Sequence, residues 1–258
     1  MSADEGGGSV PERSFDEVLT SVADVEGWMS PDQARRLYDA ARTAAPGQRI
    51  VEIGSFRGRS TIVLASAAEP GVEIVAIDPH AGNDRGPQEI EGFAAEAQDD
   101  HAVFNRNLAV AGVADRVRHV RAFSDAALAD VPGAVQVLYV DGAHRYAPAR
   151  ADIRDWGARV EPAGTLLIHD SFSSVGVTLA IVRELLWSDR WRYVGRARSL
   201  TEYRRDLPTG IGPRLVNAGR QLAQLPWFAK NLAIKVLISA KLGGVLGKVT
   251  GREPEWPY

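Results

Sequence analysis

The 258-residue chain has no cysteine, which excludes disulfides, thiolate metal sites and a cysteine nucleophile. Lysine is also scarce, because none of the four lysines precedes Lys230. Residues 1–189 therefore carry a net charge of about −12, whereas residues 190–258 carry about +9. This asymmetry has two interpretations: a solvated basic helix packed on an acidic body, or a surface that contacts anionic lipid.

Long apolar runs are absent as well. The run 232–242 is too short to span a bilayer and contains Lys235. The acidic, glycine-rich residues 1–12 lack the basic start and the apolar stretch of a signal peptide, and we expect them to be disordered. These features predict a cytoplasmic protein, whose tail is able to contact the inner face of a membrane.

Apolar runs of strand length alternate with helical patterns through the middle of the chain. This alternation predicts an α/β fold with a Rossmann-like, seven-stranded, mostly parallel sheet and helices on both faces. We expect two N-terminal cap helices in residues 13–48, a main domain in 49–206, and a linker followed by a basic, apolar helical tail in 207–258. The predicted strands are 49–53, 72–77, 117–121, 135–140, 163–169, 191–196 and 198–203. The last two are close enough to form a hairpin that places one antiparallel strand in the sheet. A helix is predicted over 147–157, and the helical tail is predicted to break at Pro226 and at Gly243-Gly244. We expect the N-terminal helices to cap the ligand edge of the sheet.

The first predicted strand runs into a loop with a distinctive order of residues. Glu52 and Gly54 are followed by Gly58 and Ser60 at the start of a helix. Glycines allow a ligand to approach the backbone, and a helix N-terminus attracts an anion. Asp78, at the end of the second strand, suits a ribose diol. This spacing fits S-adenosylmethionine better than NAD; a plain strand-to-helix turn is the alternative.

Two further strands each end in an acid, Asp141 and Asp170. Carboxylate oxygens are typical ligands of Mg²⁺, and His169 is positioned to add or orient a ligand. His144 lies three residues after Asp141, where it is a candidate general base. The alternatives are an Asp-Gly turn, a helix cap at Asp170 and a surface histidine.

Four segments together resemble the class I S-adenosylmethionine-dependent methyltransferases. They are VEIGSFRGRST from Val51, AIDPH from Ala76, LYVDGAHRY from Leu138 and GTLLIHDS from Gly164. The resemblance is strongest to the metal-assisted O-methyltransferase branch, which includes the macrolide sugar O-methyltransferases. It covers roughly residues 30–205.

The resemblance implies a role for each matching residue. It implies cofactor binding by Glu52, Gly54, Ser55, Gly58, Ser60, Asp78 and Ser124, Mg²⁺ binding by Asp141 and Asp170 with His169 as a candidate third ligand, and proton removal by His144. Catechol-type relatives follow the second aspartate with asparagine, whereas this chain has Ser171. The third metal ligand therefore stays open.

The sequence thus predicts methyl transfer from S-adenosylmethionine to a carbohydrate hydroxyl, with Mg²⁺ assistance and a histidine base. A methylmannose polysaccharide is among the acceptors that the resemblance allows. The alternatives are an NAD-dependent nucleotide-sugar oxidoreductase and a non-catalytic scaffold at a membrane surface. A homodimer and peripheral membrane contact through the tail are further expectations. No nucleic-acid partner is expected, because no basic stripe interleaved with aromatics is present.

Overall fold

The structure is a computed structural model, and it describes residues 13–81 and 94–239. The predicted disordered segment 1–12 and the predicted helix break at Gly243-Gly244 lie outside these residues. The domain boundaries given above stay a prediction. Among the described residues, no helix is both long and apolar enough to cross a membrane.

Helices and strands alternate along the chain as the sequence predicts. The strands are β1 (Arg49–Ile53), β2 (Glu73–Ile77), β3 (Val117–Val120), β4 (Val135–Val140), β5 (Val160–Ile168), β6 (Arg192–Ala197) and β7 (Leu200–Arg204). The helices are α1 (Phe15–Ser21), α2 (Pro31–Ala41), α3 (Arg59–Ala67), α4 (Ala94–Val110), α5 (Ser124–Asp130), α6 (Tyr146–Ala151), α7 (Val175–Glu184), α8 (Ile211–Leu222) and α9 (Leu225–Ser239).

The seven strands form one sheet in the order β3-β2-β1-β4-β5-β7-β6. Strands β1 to β5 pair in parallel, and β7 pairs antiparallel with both β5 and β6. The predicted mostly parallel sheet is confirmed, as is the hairpin that places one antiparallel strand in it. Parallel strands bring their carboxyl ends to a common edge, and that edge positions the site.

Alternation along each buried strand divides the core into two layers. Ile50 of β1 packs in the layer that contains α2, α3 and α4, whereas the next residue, Val51, packs against α6 and α7. The same alternation holds in β2, where Ile74 and Val75 face opposite layers. Because both faces are covered, these strands read as continuous apolar runs in the sequence.

The N-terminal helices cover a face of the sheet. Helix α2 begins with the capping box of Ser30 and Gln33 and buries Leu37 in the core. Its first turn reaches the carboxyl edge of the sheet, because the Gln33 amide contacts His169. Of the N-terminal helices, α2 therefore reaches the ligand edge of the sheet with its first turn.

Two local predictions differ from the structure. The helix predicted over 147–157 is α-helical only to Ala151, and residues 152–156 form a π-helical turn. The tail was expected to break at Pro226. Instead the break falls at residues 223–224, and Pro226 occupies the first turn of α9, where proline is tolerated because its missing N–H has no helical partner.

Candidate functional site

The carboxyl ends of β1, β2, β4 and β5 lie side by side, and backbone hydrogen bonds tie the segments that follow them. Gly54 donates its N–H to Ile77 at 2.9 Å, and Asp141 donates to Ile53 at 2.8 Å. His169 donates to Val140 at 2.9 Å. These bonds bring the predicted loop and the predicted acids to one edge of the sheet.

Gly54 sets the distance between the β1 turn and the β4 end. It has a left-handed backbone with φ of +86°, and a Cβ there would lie 2.2 Å from the carbonyl oxygen of Asp141. No side chain fits this gap. The glycine therefore holds the backbone of the predicted cofactor loop directly against the acid at the end of β4.

Asp78 organises that loop with its carboxylate. It accepts N–H groups of Ser55 at 3.0 Å, Phe56 at 2.9 Å and His80 at 2.8 Å. The hydroxyl of Ser55 is buried and has no hydrogen-bond partner among the described side chains and backbone. An orphaned buried hydroxyl beside a glycine turn and an acid fits a polar ligand such as the methionine end of a nucleoside cofactor.

Glu52 is buried beneath the same loop. It accepts hydrogen bonds from the hydroxyls of Ser60 and Thr61 at the start of α3. Burial raises the pKa of Glu52 to about 8, although these two hydrogen bonds oppose the shift. Gly58, with φ of +87°, caps α3 without a side-chain contact. The structure thus brings Glu52 and Ser60 together, and their contact with a ligand stays a prediction.

Ser124 belongs to a separate part of the edge. Its hydroxyl donates to Asp152, and its carbonyl oxygen accepts the indole N–H of Trp156 at 3.0 Å. Burial raises the pKa of Asp152 to about 6. A Cβ at Gly142 would lie 3.6 Å from Asp152, so this group adjoins the loop after Asp141. The adenine contact predicted for Ser124 is untested.

Two acids and two histidines meet at the ends of β4 and β5; we call Asp141, His144, His169 and Asp170 the Asp–His cluster. Nε2 of His144 lies 2.9 Å from Oδ2 of Asp170. Nδ1 of His169 lies 3.1 Å from Oδ1 of Asp141 and 3.8 Å from Oδ2 of Asp170. The sequence prediction that these four residues adjoin one another agrees with this geometry.

The backbone after β5 is strained at this point. Asp170 has φ of +52° and Phe172 has φ of +55°, conformations that non-glycine residues rarely adopt. The Ser173 hydroxyl donates to Oδ1 of Asp170 at 2.8 Å, and the Asn231 amide of α9 donates to the Phe172 carbonyl at 3.2 Å. These contacts hold the turn, so that Asp170 faces His144.

Mutual charge sets the protonation of the cluster. Burial opposes ionisation of Asp170, but the two histidines outweigh it and hold the pKa of Asp170 well below its ordinary value. Burial likewise lowers the pKa of His144, and Asp170 overcomes this effect, so the pKa of His144 is raised. For His169 the two carboxylates also outweigh burial and raise the pKa. Only His144 is substantially accessible, with 38% of its side chain exposed.

The donor set of the cluster does not fit a divalent cation as the side chains are placed. Oδ2 of Asp141 accepts the hydroxyl of Tyr139 at 2.7 Å, and its Oδ1 faces His169. Both oxygens of Asp170 face protein donors, Ser173 and His144. Within residues 13–81 and 94–239, no group of three histidines or acids is arranged to hold a metal ion.

Four residues that contribute to this edge were not predicted from the sequence. Tyr139 lies in an apolar strand pattern and Thr61 in a helical pattern, and residues in such patterns are expected to pack in the core and not to serve a site. Gln33 reads only as the third residue of a capping box. Asn231 lies in the tail, for which no motif indicated a role. Since each acts through contacts between distant segments, the sequence carried no signal for Gln33 or Asn231 at this site.

Comparison with known proteins finds similarity in the middle of the chain. Residues 51–171 match a family model described as a methyltransferase domain. The uncharacterized protein y4gI of Sinorhizobium fredii (strain NBRC 101917 / NGR234) is 30% identical over 128 residues, which are 48% of this chain and 13% of that protein. The chain thus spans only a small share of that curated relative.

Solved structures share the fold. Rv0187 from MTB, solved with its cofactor bound, superposes with a TM-score of 0.53 at 19% identity and covers 74% of this chain and 88% of its own. The O-methyltransferase NovP superposes with a TM-score of 0.56 at 16% identity and covers 71% and 84%. The seven-stranded, mostly parallel sheet is the Rossmann-like fold that these structures share, and residues 51–171, which match the methyltransferase-domain model, lie within this part of the chain.

Proposed function

We propose that this protein is an S-adenosylmethionine-dependent O-methyltransferase that methylates a carbohydrate hydroxyl, with His144 as general base. The family match and the fold support methyl transfer. The observation that carries the chemistry is the contact between Nε2 of His144 and Asp170 at 2.9 Å, at the edge where the Gly54 turn meets Asp141.

The cofactor would lie along the β1 turn. Gly54 leaves the backbone open, and Ser55 offers a hydroxyl that has no partner among the described residues. Asp78, whose carboxylate holds the backbone of this loop, would contact the ribose. When bound, S-adenosylmethionine supplies an electrophilic methyl group on its sulfonium. The chain's own contribution is to hold the acceptor oxygen in line with that methyl group, which lowers the entropic cost of the reaction.

Proton removal falls to His144. The side chain of His144 is accessible, whereas that of His169 is buried. An acceptor hydroxyl is therefore able to reach His144 but not His169. Neutral His144 would accept the hydroxyl proton as the oxygen attacks, and Asp170 would stabilise the imidazolium that forms. Such a base contributes roughly 10²–10⁴-fold to the rate.

Magnesium assistance, which the sequence resemblance implies, is the alternative to this metal-free route. It rests on Asp141 and Asp170, whose oxygens already face protein donors. We therefore route no step through a metal. Turnover that disappears in EDTA and returns with Mg²⁺ would establish the alternative.

An aromatic pair near the β1 turn supports a carbohydrate acceptor. The ring of Trp28 lies 5.5 Å from that of Phe56, and 55% of Trp28 is exposed. Sugar rings present C–H groups that pack on such faces. Trp28→Ala should raise KM for the acceptor several-fold and leave kcat unchanged. An unchanged KM would remove Trp28 from acceptor binding.

The tail has two parts with different surroundings. Helix α8 exposes Leu215 and Val216, which supports membrane contact as a second proposal. Lys235 of α9, by contrast, is partly buried, and its charge interacts with that of Asp170. Co-sedimentation with vesicles that contain or lack anionic lipid tests membrane contact through α8. Binding that Leu215→Ser leaves intact would contradict a role for α8.

The proposed activity is tested by label transfer. The purified chain is incubated with methyl-labelled S-adenosylmethionine and a panel of glycans, small sugars and phenols. We expect label in a carbohydrate fraction. Label in phenols alone would contradict the acceptor class, and binding of NADH in preference to S-adenosylhomocysteine would favour the oxidoreductase alternative.

A further inference from the structure

We propose that Arg57 and Arg59 are positioning residues that fasten the linker between α1 and α2 (residues 22–30) onto the loop after β1, so that a bound cofactor orders the acceptor side of the cleft. The linker carries Trp28, the aromatic side chain proposed above to contact the acceptor. The inference therefore rests on the proposed function and deepens it. It also adds a segment that precedes residues 51–171, which match the methyltransferase-domain model.

The two arginines, on either side of Gly58, reach the same linker. Nη1 of Arg57, in the loop after β1, pairs with the carboxylate of Glu26. Nη1 of Arg59, at the start of α3, donates to the carbonyl oxygen of Gly27 at 2.9 Å. A Cβ at Gly27 would lie 3.2 Å from Cδ of Arg59, which is closer than side chains ordinarily pack. The side chain of Arg59 therefore lies directly against the backbone of the linker.

Helix α4 fixes the guanidinium of Arg57 independently of the linker. Nε of Arg57 donates to Oδ1 of Asp100 in α4 at 2.8 Å, and Asp100 is buried. The carbonyl oxygen of Arg57 accepts the side-chain amide of Asn107, also in α4, at 2.8 Å. Because both its backbone and its side chain are held, Arg57 presents Nη1 to Glu26 with little further loss of conformational entropy.

An aromatic contact joins Trp28 to the same loop. The ring centroid of Trp28 lies 5.5 Å from that of Phe56, with the two planes 30° apart. Phe56 is in turn fixed by Asp78, whose carboxylate accepts its N–H at 2.9 Å. Asp78 is the acid proposed to contact the ribose. A ligand at Asp78 therefore acts on the residue against which Trp28 packs.

The three attachments together couple the linker to the loop. The side chain of Glu26 is 60% exposed, and an exposed ion pair contributes little on its own. The hydrogen bond to the carbonyl of Gly27 and the ring contact of Trp28 add to it. A cofactor that restricts the loop thereby restricts the linker. By linkage, an acceptor that packs on Trp28 binds the cofactor-loaded protein more tightly than the free protein.

Hydrogen exchange measured by mass spectrometry tests this coupling in the full chain, with S-adenosylhomocysteine as the probe. We expect the probe to slow exchange in the loop after β1 and, several-fold, in the linker. Glu26→Gln and Arg59→Met should each weaken the protection of the linker, and the double variant should abolish it while the loop stays protected. Asp24→Asn is the matched control, because it removes another exposed acid of the same linker, and it should behave as the wild type.

Kinetics separate positioning from a merely structural role. In the label-transfer assay, Glu26→Gln should raise KM for the acceptor several-fold and leave kcat and KM for the cofactor unchanged, because the side chains around His144 are untouched. Asp24→Asn should change none of the three. A loss of kcat in Glu26→Gln with KM for the acceptor unchanged would contradict a positioning role for the pair of Arg57 and Glu26.

Two results of the exchange experiment would overturn the proposal. One is a wild-type linker whose exchange is unaltered although calorimetry shows that S-adenosylhomocysteine binds. The other is a double variant whose linker is protected as in the wild type. If the wild type does not bind the probe, the proposed function fails instead. The free proteins then still test the attachment, because the linker should exchange several-fold faster in the double variant, and equal rates would overturn it.

Discussion

The five histidines of the chain form two groups that differ in their surroundings. His144 and His169 lie among carboxylates, which raise the pKa of each ring. His80, His101 and His119, which we call the histidine trio, lie among one another with ring centroids 5.1 to 5.2 Å apart. Burial and the neighbouring rings lower the pKa of His119 to about 4.

The comparison shows that surroundings assign the role of a histidine. A ring beside a carboxylate is able to accept a proton and keep it. Burial and neighbouring charges instead lower the pKa of His101 and His119. The trio serves packing: the ring centroid of His119 lies 4.8 Å from that of Phe104 in α4, and Nε2 of His80 lies 2.7 Å from the carbonyl oxygen of Phe56. In the proposed mechanism the Asp–His cluster supplies the base, whereas the trio packs beside the loop that Asp78 organises.

The largest difference between the two groups of histidines is expected in the turnover of single histidine-to-alanine variants. His144→Ala should lower turnover by roughly 10²–10⁴-fold while binding of S-adenosylhomocysteine is retained, because the base is lost and the cofactor loop is intact. His101→Ala is the matched control and should keep most turnover. Label-transfer rates and calorimetric binding measure both. Equal losses in the two variants would contradict the division of roles.

A second prediction concerns the loop beside the trio. Asp78→Ala leaves the N–H groups of Ser55, Phe56 and His80 without their acceptor, and each unsatisfied donor costs about 1–3 kcal/mol where it is buried. Binding of S-adenosylhomocysteine should weaken by about tenfold or more. The exposed Asp99, changed to Ala, is the control. Wild-type affinity in Asp78→Ala would contradict the assignment of this loop to the cofactor.

The trio also predicts a dependence of stability on pH. The pKa of His119 is about 4 in the folded chain and about 6.5 when unfolded, so the unfolded state binds more protons between these values. Stability should therefore fall as the pH is lowered from 6.5 to 4. In His119→Phe this part of the loss should disappear, with Tm less dependent on pH by a few degrees. Parallel Tm profiles would contradict the prediction.

The smallest effect is expected from chelation. Since the carboxylates of the Asp–His cluster face protein donors, turnover should change little in excess EDTA. Added Mg²⁺ should not increase it. A large, magnesium-reversible loss would instead support the metal-assisted alternative.

Much of the fold could be predicted from the sequence because buried parallel strands are continuous apolar runs. Strands 49–53 and 135–140 have the predicted boundaries. The predicted break at Pro226 is wrong. Proline ends a helix when it lies in the interior but is tolerated in the first turn, and the sequence does not distinguish these two positions. The π-helical turn after Ala151 has no sequence signal either.

The site was predictable only in part. Acids that follow adjacent strands, such as Asp141 and Asp170, meet because parallel strands end at one edge. The hydrogen-bond and ion-pair partners of these acids depend on side chains from other segments. Two such contacts are those of Asp78 with the loop after β1 and of Gln33 with His169. They join residues that are far apart in the sequence, and no local sequence pattern predicts them.

The dependence of turnover on pH in the wild type and in Asp170→Asn tests the central claim most directly. His144 must be neutral to accept a proton, and Asp170 raises its pKa, so wild-type turnover should rise with pH through a midpoint above 6.5. Without the carboxylate, burial dominates, and the midpoint should move below 6.5 with a lower maximum rate. An identical midpoint in both proteins would contradict His144, held by Asp170, as the base.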